Sequence, residues 1–132
     1  MFFEVTLAVD KLNEKGEPKK VTERYITDDT LFGSVEQKAF NLYDGDCEVT
    51  AIKISKITEI VNDKTDNFPF FKAVVYDVFT TDSGEEKEID YQMLVCAEDV
   101  KTATNTMLEY MKQGYGMGLK SVSRTKIIDV IK

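Results

Sequence analysis

Histidine is absent from all 132 residues, and with it go the commonest general base near neutral pH and the commonest metal ligand. Ser-His-Asp and Cys-His nucleophilic sites are excluded, and so are zinc sites built on imidazole. There are only two cysteines, Cys47 and Cys96. They are too few for a disulfide framework and lack metal-ligand spacing, which points to a reducing, cytoplasmic setting. No apolar run approaches the roughly 18 residues of a membrane span, and Met1-Phe2-Phe3-Glu4 lacks the basic flank of a secretion signal.

Basic residues are also scarce, 17 Lys and Arg against 24 Asp and Glu for a net charge of −7. Such a surface repels phosphate backbones and anionic membranes, so nucleic-acid binding requires a local patch. Only one stretch is basic. Between Lys112 and Lys132 lie Lys112, Lys120, Arg124, Lys126 and Lys132 with a single acid, Asp129.

What the chain does have is an internal repeat. Phe2-Phe3 returns as Phe70-Phe71, and at the same offset of 68 Gly16 meets Gly84, Lys19 meets Lys87 and Ile26 meets Leu94. Late in each half the offset becomes 70, where Ile52 meets Val122, Lys56 meets Lys126 and Ile57 meets Ile127. The repeats span 1–61 and 70–132, joined by a link at 62–69.

Each half reads β-β-α-β. Phe3, Val5, Leu7 and Val9 alternate with Phe2, Glu4, Thr6 and Ala8, the period of a strand with one buried face. Asn13 to Gly16 is a turn, and Val21–Thr27 is the return strand. Ser34-Val35-Glu36-Gln37 has the form of a capping box opening a helix to about Tyr43. Asp44-Gly45-Asp46 ends that helix, and Val49–Ile57 is a third strand. In the second half, strands at about Phe70–Phe79 and Glu88–Cys96 precede a helix capped by Asp99. Its apolar stripe is Val100, Ala103, Met107 and Met111, and Gly114 sits where a C-terminal cap belongs.

The predicted fold is therefore α+β. Tandem β-β-α-β repeats share one antiparallel or mixed sheet, with both helices on one face of a single domain. Val5, Leu7, Val75, Leu94, Met107 and Ile127 should be core.

Three motifs imitate chemistry. Asp77 with Glu85-Glu86-Lys87 looks like the acidic-x-Lys set of metal-dependent nucleases. The same place in the first half is Glu17-Pro18-Lys19, which reads as a solvated turn. Gly114-x-Gly-x-Gly118 looks like a phosphate loop but follows a helix instead of preceding one. Asp44-Gly45-Asp46 lacks the spacing and closing glutamate of a calcium loop. No cofactor or metal is expected, and the chain reads as non-enzymatic.

The third strands differ most between the halves. Thr50, Ile52 and Ile54 become Lys120, Val122 and Arg124, followed by Lys126 and preceded by Tyr115. Cations alternating on one strand face beside an aromatic suit single-stranded nucleic acid. A solvated edge strand whose charges block aggregation is the commoner meaning of such a pattern.

Several stretches together form a recognisable set: Phe2-Phe3-x-Val5, Gly16 through Lys19-Lys20-Val21-Thr22-Glu23 to Tyr25, Phe70 to Val74, Tyr91 to Val95 with Ala97, and Ser123 through Lys126-Ile127 to Asp129-Val130. The set resembles a small family of unknown function from Bacteroidota and their phages, the crAss-like phages of the gut among them. The likeness covers nearly the whole chain, and its motifs are structural. It implies a single-stranded DNA-binding protein acting near replication, with no agreed functional residues to carry over. The ending Asp129-Val130-Ile131-Lys132 departs from bacterial single-strand-binding proteins, which close on an acidic tail.

Two functions compete. The first is binding of single-stranded nucleic acid through Lys112, Tyr115, Lys120, Arg124 and Lys126. The second is a phage or mobile-element protein that takes up a small signalling nucleotide or a host protein, its repeat suiting a homo-oligomer.

Overall fold

The computed structural model describes residues 1–112 and 117–132. The first half of the chain contains β1 (Phe2–Leu12), β2 (Pro18–Asp28), α1 (Phe32–Asn41), β3 (Glu48–Ile54) and β4 (Ile57–Ile60). The second contains β5 (Phe70–Thr80), β6 (Glu86–Cys96), α2 (Val100–Met111), β7 (Met117–Arg124) and β8 (Ile127–Ile131). The order ββαββ is traversed twice, so the fold is α+β.

The strands form two mixed four-stranded sheets, β3-β1-β2-β8 and β4-β6-β5-β7. This corrects the expectation of one shared sheet with both helices on one face. The cause is a break inside what alternation reads as a single third strand. The Ser55 amide donates to the Phe2 carbonyl at 2.8 Å and ends the pairing of β3, after which β4 enters the other sheet. The break recurs 70 residues later, where the Thr125 amide donates to the Phe70 carbonyl at 2.9 Å. The chain accordingly divides into two compact units, residues 1–55 with 126–132, and residues 56–125. Each unit takes its outermost parallel strand from the other half of the sequence.

In the first unit, β1 and β2 pair antiparallel from Phe2 opposite Asp28 to Leu12 opposite Pro18. Asn13 Oδ1 accepts the Lys15 and Glu17 amides, and Gly16 takes a φ of 77° that a side chain would resist, closing the turn. The inward residues Phe3, Val5, Leu7, Val9 and Tyr25 pack with Val35 and Ala39 of α1 and with Ile131 of β8. β8 runs parallel to β2, and the Thr27 hydroxyl donates to the Ile131 carbonyl at 2.7 Å.

Helix α1 begins two residues before the predicted cap. Leu31 occupies the N-cap position with no side-chain hydrogen bond, and Ser34 lies inside the first turn. At the matching place in the second unit Asp99 accepts the Thr102 amide at 2.7 Å, as predicted. That bond holds the Asp99 carboxyl below its usual range. Leu31 therefore leaves unmade a cap worth about 1 kcal/mol. Leu31→Asp is expected to raise stability by about that amount in denaturant titrations at low micromolar protein. A lowered midpoint would refute the assignment.

In the second unit, Phe71, Ala73, Val75, Met93, Val95 and Ala97 pack beneath Ala103 and Met107 of α2. Val100 is exposed, so the buried stripe of the helix is narrower than its spacing predicts. The Gly114 cap lies outside the described residues. β4 runs parallel to β6, and the Tyr110 hydroxyl of α2 donates to Glu59 of β4. The hydrogen bond to that carboxylate pushes the phenol up to about 12. All six residues expected in the core (Val5, Leu7, Val75, Leu94, Met107 and Ile127) are buried.

The two units match in detail. The β1–β3 ladder slips between Thr6 and Leu7 and skips Thr50, and the β5–β7 ladder slips between Val74 and Val75 and skips Lys120. Arg24 lies opposite Ile127 in one parallel pair, and Gln92 lies opposite Ile57 in the other. Both correspondences follow the offsets of 68 and 70.

Candidate functional site

β7 is an edge strand, and alternation alone would put Lys120, Val122 and Arg124 on one face. The bulge changes this. Arg124 pairs across from Phe71 and Val122 from Ala73, on the face that α2 covers. Lys120 is the extra residue between Leu119 and Ser121. A bulge shifts side-chain phase by one residue, and Lys120 turns to the opposite face. There its ammonium group meets Glu88 and Asp90, the latter at 3.0 Å, and lies 5.9 Å from the centre of the Tyr76 ring. Tyr76 itself lies over Gly118, where its ring leaves no room for a Cβ. Hydrogen bonds to the two carboxylates raise the Lys120 pKa above its usual value. Lys120 is thus held by two anions and is not available as an unpaired cation.

The other predicted residues separate as well. Lys112 follows α2 and pairs with Glu109 at 2.9 Å, both groups exposed. Tyr115 lies outside the described residues. Lys126 falls beyond the end of β7, in the two-residue connection to β8, so it does not share a strand face with Lys120. Arg124 and Lys126 are both exposed, and neither forms an ion pair among the described residues. Residues 113–116 contain no carboxylate to supply one. The basic ending is shared between two acidic units. The first has 9 basic and 12 acidic residues, the second 8 and 12.

Of the imitating motifs, Glu85 belongs to the β5–β6 turn, where its amide donates to the Thr81 hydroxyl, while Glu86 and Lys87 open β6. Among the described residues no group of three or more Cys, Asp or Glu could hold a metal ion, and no helix is long and apolar enough to cross a membrane.

The first unit holds a polar cluster that sequence reasoning missed. Glu23 lies across from Leu7 on the core face of β2 and is 5% exposed. It accepts hydrogen bonds from Lys11 at 2.8 Å, Tyr25 at 3.1 Å and Tyr43. Burial pushes its carboxyl up, but the three donors outweigh burial and hold it below the usual range. The same carboxylate bond raises the Lys11 ammonium, and burial first of all raises the Tyr25 phenol. Lys11 and Tyr43 also line an open groove of about 570 Å³ with Val9, Asp10, Leu42, Asp44 and Asp46. The signal was present. Glu23 is in phase with Val21 and Tyr25 on an inward face where a carboxylate is out of place.

A family model described as a domain of unknown function, DUF4494, matches residues 1–132. The chain belongs to this family. No curated protein and no solved structure matches it. The match spans both ββαββ halves of the sequence.

Proposed function

We propose that this DUF4494 chain is a non-catalytic, cytoplasmic accessory protein of phage or bacterial replication that binds single-stranded nucleic acid. The observation that carries the reading is that Arg124 and Lys126, two positions apart in the sequence, are each exposed and each without an ion pair among the described residues. Tyr115 adds an aromatic close by in the sequence for sequence-tolerant stacking. Lys112 and Lys120 contribute only where phosphate draws them from Glu109, Glu88 and Asp90. We also read the two halves as copies of one ancestral unit, a reading supported by the matching registers and bulges.

Two unpaired cations displace fewer counterions than five. At roughly 0.7 per phosphate on a single strand, the log–log salt slope of binding is expected near −1.4. Arg124→Ala and Lys126→Ala should each flatten the slope by about 0.7, with Lys112→Ala and Lys120→Ala changing it less. Tyr115→Ala should weaken binding and leave the slope alone. Anisotropy titrations with a labelled mixed-sequence oligonucleotide measure all of this. Absence of binding at about 20 mM salt would end the proposal, because screening is weak there.

A second reading, binding of a host protein, draws on the far end of the β5–β6 hairpin. There Val78, Phe79 and Ile89 are exposed beside Glu85, Glu86 and Glu88. The nucleotide alternative gains nothing from the groove of the first unit, whose three aspartates would repel phosphate.

A further inference from the structure

The groove of the first unit is lined in a way that the second half of the sequence does not repeat. Its cavity of about 570 Å³ has the size of a small-molecule site. Past Asp10 and Asp46 it continues into a hollow of about 240 Å³ bordered by Lys20, Cys47 and Glu48. The floor is a polar network. Lys11 and Tyr43 both face the groove and both bond the buried Glu23. At the places of Asp10, Asp44 and Asp46 the second half has Val78, Lys112 and Gly114, and for Lys11 and Tyr43 it has Phe79 and Met111. The fold therefore needs neither the carboxylates nor the network beneath them. Displaced titrations of the kind described for Lys11, Glu23 and Tyr25 gather at functional sites more often than elsewhere.

The cations beside the groove are committed elsewhere. Lys11 binds Glu23 at 2.8 Å, and Lys20, directly across from Asp10, leans to Glu48 at 3.7 Å. Asp10, Asp44 and Asp46 are exposed, and none of them forms an ion pair among the described residues. Three unneutralised carboxylates around one concavity repel anions and draw a cation. A metal ion gathers its oxygen ligands into one shell, and among the described residues no group of three or more acids could do so. Val9, Leu42 and the Tyr43 ring place apolar wall among the charges. Separated anions with apolar surface among them match separated ammonium groups on a hydrocarbon chain.

We propose that this groove binds a linear polyamine, its ammonium groups on Asp10, Asp44 and Asp46 and its methylene chain along Val9, Leu42 and Tyr43. Glu23 does not touch the ligand. It holds Lys11 and Tyr43 in place beneath it, as a supporting residue holds a contacting one. Polyamine binding here is independent of nucleic-acid binding, which uses other residues.

Amide-resolved NMR titration of the full chain with spermidine tests the site. The expected result is a set of saturable shifts at residues 9–11 and 42–46, with tighter binding than butylamine or Mg²⁺ shows at equal ionic strength. Asp10→Asn, Asp44→Asn and Asp46→Asn should each weaken binding about fivefold, the worth of one ion contact at about 4 Å in bulk water. The triple variant should no longer saturate. All three positions are exposed, and asparagine accepts the φ of 51° at Asp44, so the fold is kept. The turn of the β5–β6 hairpin, with Asp82, Glu85 and Glu86 exposed, is an internal control. Equal shifts there would reduce spermidine to a counterion of an acidic surface and overturn the proposal. Mg²⁺ binding as tightly, or affinity unchanged in the triple variant, would overturn it too. So would a lysine-bearing peptide that outcompetes spermidine, since the groove would then belong to a protein partner.

Discussion

Deleting residues 126–132 is expected to unfold the N-terminal unit, although that unit begins 125 residues earlier in the sequence. β8 completes the first sheet as the parallel neighbour of β2. Its removal uncovers the positions held by Ile127 and Ile131, both buried, and Ile131 belongs to the core cluster of Phe3, Val5, Leu7 and Val35. Two buried isoleucines account for roughly 3–6 kcal/mol of transfer free energy. The Thr27 hydroxyl also loses its acceptor, the Ile131 carbonyl. Since a whole domain is stable by only about 5–15 kcal/mol, a loss of this size removes most of the margin. Amide exchange measured strand by strand should show β1 and β2 losing protection. Ile131→Ala gives a milder version, a loss of about 2–5 kcal/mol. Unchanged protection in β2 of the truncated chain would mean that β8 is not a working part of that sheet.

This exchange of terminal strands is also where the sequence is least legible. Alternation in β1 and β5 names the inward residues correctly, because strand period is a local property and both strands are central in their sheets. Asp99 declares its helix for the same reason, its side chain reaching an amide three residues on. The break at Ser55-Lys56 has no such mark. No Gly or Pro stands there, and apolar residues continue on both sides, from Ile52 and Ile54 to Ile57 and Ile60. Which sheet a strand joins depends on partners far along the chain, and a short pattern carries no record of them.

The candidate site is hard to read on the same grounds. Lys120, Val122 and Arg124 share a face only in an unbroken ladder, and one bulged residue sends Lys120 to the other side. The ion pairs of Lys120 with Glu88 and Asp90 follow from that placement, 32 and 30 residues apart in sequence. Ser34 reads as a cap because serine at that spacing usually is one, whereas the backbone turns helical after Leu31. Comparing the two halves position by position supplies what single motifs cannot. The same comparison that exposes the third-strand contrast also exposes Glu23 against Tyr91.

Glu23→Ala is expected to cost roughly 1–3 kcal/mol at neutral pH, because the buried Tyr25 hydroxyl would lose its acceptor, while the half-exposed Lys11 can turn to water. The network is not a requirement of the fold. The positions of Lys11, Glu23, Tyr25 and Tyr43 correspond to Phe79, Tyr91, Met93 and Met111 in the second unit, an apolar set in the same register. Buried ionic groups replaced by well-packed apolar ones often leave stability unchanged or improved. The quadruple variant Lys11→Phe, Glu23→Tyr, Tyr25→Met, Tyr43→Met should therefore recover most of what Glu23→Ala loses. The two proteins then differ in acid. The Glu23 carboxyl is held below 4.5 when folded, so its contribution is whole above about pH 4.5 and disappears as the pH falls through the lowered value. Lys11 is raised above 10.5, so its contribution is whole below that pH and is lost only in strong alkali. Between these limits the network adds a constant amount. Denaturation midpoints followed from pH 7 into acid should fall more steeply for the natural chain than for the quadruple variant. Parallel acid profiles would show that Glu23 is not held ionised by its three donors, and would remove the cluster from consideration as a site.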